Sequence, residues 1–183
     1  MYRETQSEPD DEEWSHGKFV ASIAQFLRPK LYIELGCRLG ETFAQVEPYC
    51  ENAVAIDCVN HEEWLRAKGL QECFVQSDTI EYMNAQEDES VDLCFLDSSH
   101  EEEATVLEFD AIAPKMRKNG VVLFHDTYPP NEQCTASDRC GGVWRAIERI
   151  KAKHSCSFEF ATFPAQYGIT VARKNLGRQL LWR

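Results

Sequence analysis

Short apolar runs recur along this chain, and each ends on or just before a polar or glycine-rich residue. They are Leu31–Leu35, Ala53–Asp57, Glu72–Val75, Val91–Asp97 and Val121–Asp126. Between them lie segments with helical spacing of apolar residues. Such alternation predicts an α/β sheet covered by helices on both faces. A first helix is expected over Trp14 to Arg28, with Phe19, Ile23, Phe26 and Leu27 on one face and Pro29 as its stop. Further helices are expected from Glu41 (Phe43, Val46 and Cys50 aligned), over His61 to Lys68, over Asp78 to Ala85 behind a good capping residue, and over Glu101 to Ala113. Asn119-Gly120 turns the chain into the fifth strand. A last helix carries Val143, Trp144, Ile147 and Ile150, and Phe158–Phe163 with Tyr167–Arg173 forms an antiparallel pair.

The length of 183 residues fits one domain. Residues 1–13 are acidic and read as a mobile leader, and residues 14–183 as the single domain. A formal net charge of -12 repels phosphate backbones, so nucleic acid is not expected as a partner, while a cationic ligand suits the charge. No apolar stretch is long enough to span a bilayer and no secretory signal core is visible, so neither a membrane nor export by that route is expected. Eight cysteines include no CxxC pair, and Cys37, Cys58, Cys73 and Cys94 fall in or beside the expected strands. Reduced, buried thiols in a cytoplasmic protein are the simplest account. Cys134 and Cys140, six apart in the polar loop Thr127 to Gly142, leave a bridge or a metal open. That loop is long enough for a lid or an acceptor-binding segment.

Ligands of open α/β sheets bind beyond the carboxyl ends of the strands. The residues there are Glu34 to Gly40, then Asp57, then Ser77 and Asp78, then Asp97 to His100, then His125 to Thr127. Gly36 and Gly40 allow a sharp turn and a close backbone approach. Arg38 stands where a dinucleotide fingerprint wants its second glycine, so a pyrophosphate fits poorly and a nicotinamide oxidoreductase is disfavoured. Asp57, about twenty residues on, is placed to accept from a ribose diol. Asp97 and Asp126 would lie about 5–10 Å apart if their strands are neighbours. Carboxylates that close call for a cation, a proton or a histidinium between them.

The segment Tyr32-Ile33-Glu34-Leu35-Gly36-Cys37-Arg38-Leu39-Gly40-Glu41-Thr42 resembles motif I of class I S-adenosylmethionine-dependent methyltransferases. Asp97-Ser98-Ser99-His100, followed by Gly120-Val121-Val122-Leu123-Phe124-His125-Asp126-Thr127, is similar more narrowly to the macrocin O-methyltransferase and cephalosporin hydroxylase-like group. The resemblance runs from Leu31 to Arg173. It implies a Rossmann-like three-layer sandwich whose mostly parallel seven-stranded sheet has the order 3-2-1-4-5-7-6, the last strand antiparallel. It implies S-adenosyl-L-methionine as cofactor, held by Glu34, Gly36, Arg38, Gly40, Thr42, Asp57, Cys58, Ser77, Asp78 and Asp97. Within that set Glu34, Gly36 and Gly40 shape the methionine end, Asp57 holds the ribose, and Asp78 accepts from the adenine amino group. It also implies a divalent cation such as Mg2+ on Asp97 and Asp126, with His125 where some relatives carry another acid.

Methyl transfer to a small-molecule hydroxyl is the expected chemistry, with His100, His125 and Asp97 as catalytic candidates. The alternatives are an aminopropyl-type transfer from a related cofactor and a non-catalytic interaction module of the same fold. No large inserted cap domain is visible, so the acceptor pocket is expected to be either open or completed by the partner subunit of a homo-oligomer. The competing structural roles are that His100 caps the following helix and that Asp126 orders its loop.

Overall fold

The computed structural model describes residues 15–175. The leader assigned to residues 1–13 lies outside the described residues. Seven strands form one sheet: β1 (Leu31–Leu35), β2 (Asn52–Asp57), β3 (Phe74–Gln76), β4 (Val91–Leu96), β5 (Met116–Phe124), β6 (Phe158–Phe163) and β7 (Ile169–Lys174). Their order is β3-β2-β1-β4-β5-β7-β6. The first five run parallel, and β7 is antiparallel to both β5 and β6. This is the Rossmann-like order expected.

Six α-helices cover the sheet among the described residues: α1 (His16–Leu27), α2 (Glu41–Val46), α3 (Glu62–Ala67), α4 (Thr79–Asn84), α5 (Glu102–Lys115) and α6 (Val143–His154). Strand pleating sends alternate residues to opposite faces and so divides the core in two. Ile33, Leu35, Cys94, Leu96, Val122 and Phe124 pack with Met83 of α4, Phe109 and Ile112 of α5, and Ile147 and Ile150 of α6. Tyr32, Leu93, Phe95, Val121 and Leu123 pack with Val20 and Ala24 of α1, Phe43 and Val46 of α2, and Leu65 of α3. Among the described residues no helix is long and apolar enough to cross a membrane.

Three local expectations are corrected. α1 buries Gly17, Val20 and Ala24; of the expected face, Phe19 and Ile23 are half-buried against the core, while Leu27 is exposed and Phe26 is 86% exposed. Glu72 and Cys73 belong to a one-turn 3-10 segment, so β3 starts only at Phe74. β5 begins at Met116, before the expected turn. Val91 pairs with Met116 while Leu93 pairs with Val121, and the extra residues bulge out with Asn119 at a φ of 65°. Asn tolerates that left-handed conformation better than most residues.

Candidate active site

The sheet reverses direction of growth between β1 and β4, and a crevice opens beyond the strand ends at that point. Its first wall is the β1–α2 turn. The N–H groups of Gly36 and Cys37 donate to the Ile56 carbonyl, at 2.9 and 3.2 Å, and draw the turn against β2. Gly36 has a φ of 87°, and a Cβ there would meet the Asp97 carbonyl oxygen at 2.3 Å. Only glycine allows the β1 and β4 ends to approach this closely. Gly40 serves differently from the expectation. It starts α2 with a φ of 67°, and a Cβ on it would strike Leu65 rather than face the crevice.

Asp57 stands at the end of β2 and ties this turn together. Its Oδ2 accepts from the Arg38 N–H and its Oδ1 from the Val59 N–H, both at 2.9 Å. Each oxygen retains capacity for a ligand hydroxyl. Asp78 caps α4, where one oxygen, Oδ1, accepts from both Ile80 and Glu81 N–H groups at 2.9 Å. Beyond them Glu108 of α5 is buried; its Oε1 accepts from the hydroxyls of Thr79 (2.6 Å) and Ser98. Burial pushes the Glu108 carboxyl up from the ordinary range against those two hydrogen bonds.

At the ends of β4 and β5 four side chains converge. His100 Nε2 lies 3.2 Å from Asp126 Oδ2 and 3.8 Å from Asp97 Oδ1. His125 Nδ1 lies 3.4 Å from that same Asp97 oxygen and 3.6 Å from that same Asp126 oxygen. On the far side of its ring, His125 Nε2 donates to the Gln166 carbonyl at 3.0 Å. The Cys140 thiol donates to Asp126 Oδ1 at 3.4 Å. Burial opposes the Asp97 charge, but hydrogen bonds from His100 and His125 win and hold its carboxyl well below the usual range. His100 is raised, first by its bond to Asp97. His125 is raised too: burial pulls it down, and Asp97 and Asp126 outweigh that.

His100 therefore does not cap α5; the N-cap is Glu101, which makes no side-chain cap bond. Ligand atoms of Asp97, His100 and Asp126 all lie within 4.8 Å of one another. His100 thus joins the cation candidates, where sequence reasoning had named only Asp97, Asp126 and His125.

The crevice encloses about 850 Å³. Of the residues assigned to the cofactor from sequence, Gly36, Arg38, Asp57, Cys58, Asp78 and Asp97 line it. Glu34, Gly40, Thr42 and Ser77 do not. Glu34 is buried behind the turn, where its Oε2 accepts from the Tyr32 hydroxyl at 2.5 Å. Burial raises its carboxyl to about 8. It braces the turn from behind.

Sequence reasoning missed His16, Glu108, Arg139 and Tyr167, all of which line the crevice. His16 opens α1, and its ring centroid lies 4.3 Å from that of His125. A histidine directly after the capping Ser15 was its only signal. Cys134 and Cys140 are both buried free thiols, and their loop is held by the Cys140 N–H donating to the Cys134 carbonyl at 3.0 Å.

This fold and crevice define a class I, Rossmann-like methyltransferase architecture. Residues 14–127 match the methyltransferase domain family, and the chain belongs to that family. An uncharacterized protein, y4gI, of Sinorhizobium fredii (strain NBRC 101917 / NGR234) is 25% identical over 175 residues. That match takes in 84% of this chain but only 18% of the relative's length. The SAH-bound methyltransferase PaMTH1 of Podospora anserina superposes with a TM-score of 0.71 at 16% identity, covering 92% of this chain and 83% of that one. An O-methyltransferase of Bacillus cereus in complex with SAH gives 0.65 at 16% identity, covering 87% and 80%. At these identities the likeness to both structures concerns the fold.

Proposed function

We propose that this chain transfers the methyl group of S-adenosyl-L-methionine to a hydroxyl of a small-molecule acceptor. One observation carries the reading: Asp57, Asp78 and the Asp97–His100–His125–Asp126 cluster open onto a single crevice at the switch point of the sheet. That crevice is large enough for an adenosyl cofactor with an acceptor beside it. When bound, the cofactor supplies an electrophilic methyl group on a sulfonium whose departure leaves a neutral thioether.

The residues of the chain bind and align. Asp57 accepts from the ribose hydroxyls while its two backbone bonds keep it aimed. The Gly36 turn leaves room for the methionine end. Arg38 tolerates this ligand because no pyrophosphate presses on the turn. The Asp97 carboxylate favours the sulfonium charge. In-line displacement needs the acceptor oxygen held opposite sulfur, and the cluster at β4 and β5 offers the polar anchor for it. The acceptor hydroxyl loses its proton as the carbon–oxygen bond forms. His16 packs its ring, tilted, against that of His125, and burial, followed by the His125 charge, lowers its pKa, which keeps the ring neutral and able to take that proton. The donor set also fits a divalent ion: held by Asp97, His100 and Asp126, it would fix the acceptor oxygen and lower its pKa.

Calorimetric titration with S-adenosylhomocysteine tests the cofactor half of this reading. Micromolar binding that weakens roughly tenfold to hundredfold in Asp57→Ala is expected, from loss of hydrogen bonds to a charged group. No binding, or equal binding by the variant, would overturn it. A panel of catechols, sugars and phenols, read by S-adenosylhomocysteine release, tests the acceptor half. Product formed only on amines or thiols would reject the hydroxyl assignment.

A further inference from the structure

Glu108 is a buried acid in the crevice wall that methyl transfer leaves without a task. It lies on α5, behind the seam between Thr79, the first residue of α4, and Ser98, just past β4. It is only 4% exposed. Its two oxygens are not equivalent. Oε1 accepts from the Thr79 hydroxyl at 2.6 Å and from the Ser98 hydroxyl. Oε2 is buried, and nothing among the described residues donates to it. An unpaired buried carboxylate oxygen is costly, and the large majority of such atoms find a partner. A donor that arrives with the ligand accounts for this one.

The surrounding wall suits a flat base. Ile80 and Ala104, both half-buried, offer apolar surface there. Asp57, which accepts from the ribose, stands at the end of β2, and the neighbouring strand β3 leads through Asp78 into α4. A nucleoside held by Asp57 therefore carries its base toward α4 and Glu108. On adenine the hydrogen-bond donors are the two N–H groups of the 6-amino group. The motif resemblance gives that amino group to Asp78. Asp78, however, is exposed, and its Oδ1 is committed to the Ile80 and Glu81 N–H groups. Water competes for its other oxygen. An exposed acceptor of that kind discriminates weakly, whereas a buried one left unpaired by the wrong ligand discriminates strongly. The two hydroxyl bonds to Glu108 oppose the effect of burial and favour its ionised, accepting form.

We propose that Glu108 is the residue that selects the base: its Oε2 accepts from the 6-amino group of an adenine seated against Ile80 and Ala104, while Thr79 and Ser98 fix the carboxylate. This rests on the methyltransferase reading for the position of the ribose. Asp78 then serves chiefly as the cap of α4.

Calorimetry on the full chain uses two pairs of ligands. One is S-adenosylhomocysteine with its purine counterpart lacking the 6-amino group; the other is adenosine with purine riboside. The parent is expected to bind the amino-bearing member of each pair at least about tenfold more tightly. In Glu108→Gln the amide oxygen stays with the two hydroxyls and the NH2 group takes the place of Oε2. A donor then faces a donor, and the preference falls at least about tenfold. A purely structural clamp would weaken both members of a pair alike, so an unchanged preference in the variant would overturn the inference. Equal binding of both members by the parent would overturn it too. Circular dichroism checks that the variant is folded. Should it not fold, Glu108→Asp, which draws the carboxylate back by one methylene, is read in the same way, with a reduced preference expected. S-adenosylhomocysteine binding with a preference that ignores Glu108 removes only this inference. A Glu108-dependent preference for adenosine without S-adenosylhomocysteine binding removes only the methyltransferase reading, and binding of none of the four ligands removes both.

Discussion

The ring of His16 lies over that of His125, 4.3 Å between centroids and tilted by 41°, so the first turn of α1 forms part of the crevice wall. The two rings are driven in opposite directions. Burial and then the His125 charge lower the His16 pKa, while Asp97 and Asp126 more than offset burial at His125 and raise it. Ring-proton resonances of the chelator-treated protein, followed across pH, are expected to give a midpoint below 6.5 for His16 and above 6.5 for His125. His16→Asn assigns the first resonance. A His16 midpoint at or above 6.5 would remove it as the neutral proton acceptor.

Glu34 predicts a pH dependence of folding stability. Burial raises its carboxyl from 4.5 to about 8 in the folded chain. Between those values the folded form holds a proton that the unfolded form has released, so stability falls as pH rises. The stabilisation is complete below the unfolded pKa and gone once pH passes the folded one, with a slope of up to ~1.4 kcal/mol per pH unit. Glu34→Gln keeps an oxygen for the Tyr32 hydroxyl and removes the titration. Urea midpoints measured from pH 5 to pH 9 should decline less steeply in the variant than in the parent. Parallel curves would show that Glu34 does not carry the effect.

The sheet and most of the crevice were legible because strand ends concentrate chemistry. Asp57, Asp97 and Asp126 each close an apolar run, and a parallel sheet carries all three to one edge. His100 and His125 followed from the same logic. What escaped came from elements whose local pattern says nothing about their neighbours. His16 is polar, on a helix far from the motifs in sequence, and only the packing of α1 on α2 brings it over β5. Glu108 reads as one more acid on an acidic helix, yet it is only 4% exposed, because Thr79 and Ser98 donate to it. The β5 bulge at Asn119 looked like an ordinary turn because Asn-Gly signals a left-handed residue without saying whether strand pairing resumes before it.

The misread face of α1 leads to a contrast in stability. Val20 is fully buried under the β1–β4 side of the sheet, while Phe26 is 86% exposed at the far end of the same helix. Val20→Ala removes two buried methyl groups and leaves a gap, an expected loss of about 1–3 kcal/mol. Phe26→Ser should stay within about 0.5 kcal/mol of the parent, as surface changes do. Chemical denaturation of both variants checks the assignment. The reverse ranking would mean that the Phe26 end of the expected face is packed after all.

Gly36 and Gly69 separate backbone strain from steric closure. Both have positive φ, 87° and 76°. At Gly69 a Cβ would meet nothing within 4 Å, so Gly69→Ala costs only the conformational penalty of about 1–2 kcal/mol. At Gly36 a Cβ would lie 2.3 Å from the Asp97 carbonyl oxygen and 2.5 Å from the Ser98 Cα. Both are backbone atoms of the β4 end, so no side chain can rotate away to make room. Gly36→Ala must therefore push the β1–α2 turn and the Asp97 segment apart, costing more than Gly69→Ala and moving the Asp97 carboxylate. Thermal denaturation should rank Gly36→Ala as the less stable variant. Calorimetry with S-adenosylhomocysteine should show a loss of affinity in Gly36→Ala alone, since Gly69 does not line the crevice. Equal stability and unchanged affinity in Gly36→Ala would mean that the close approach of β1 and β4 is not what shapes the cofactor end of the crevice.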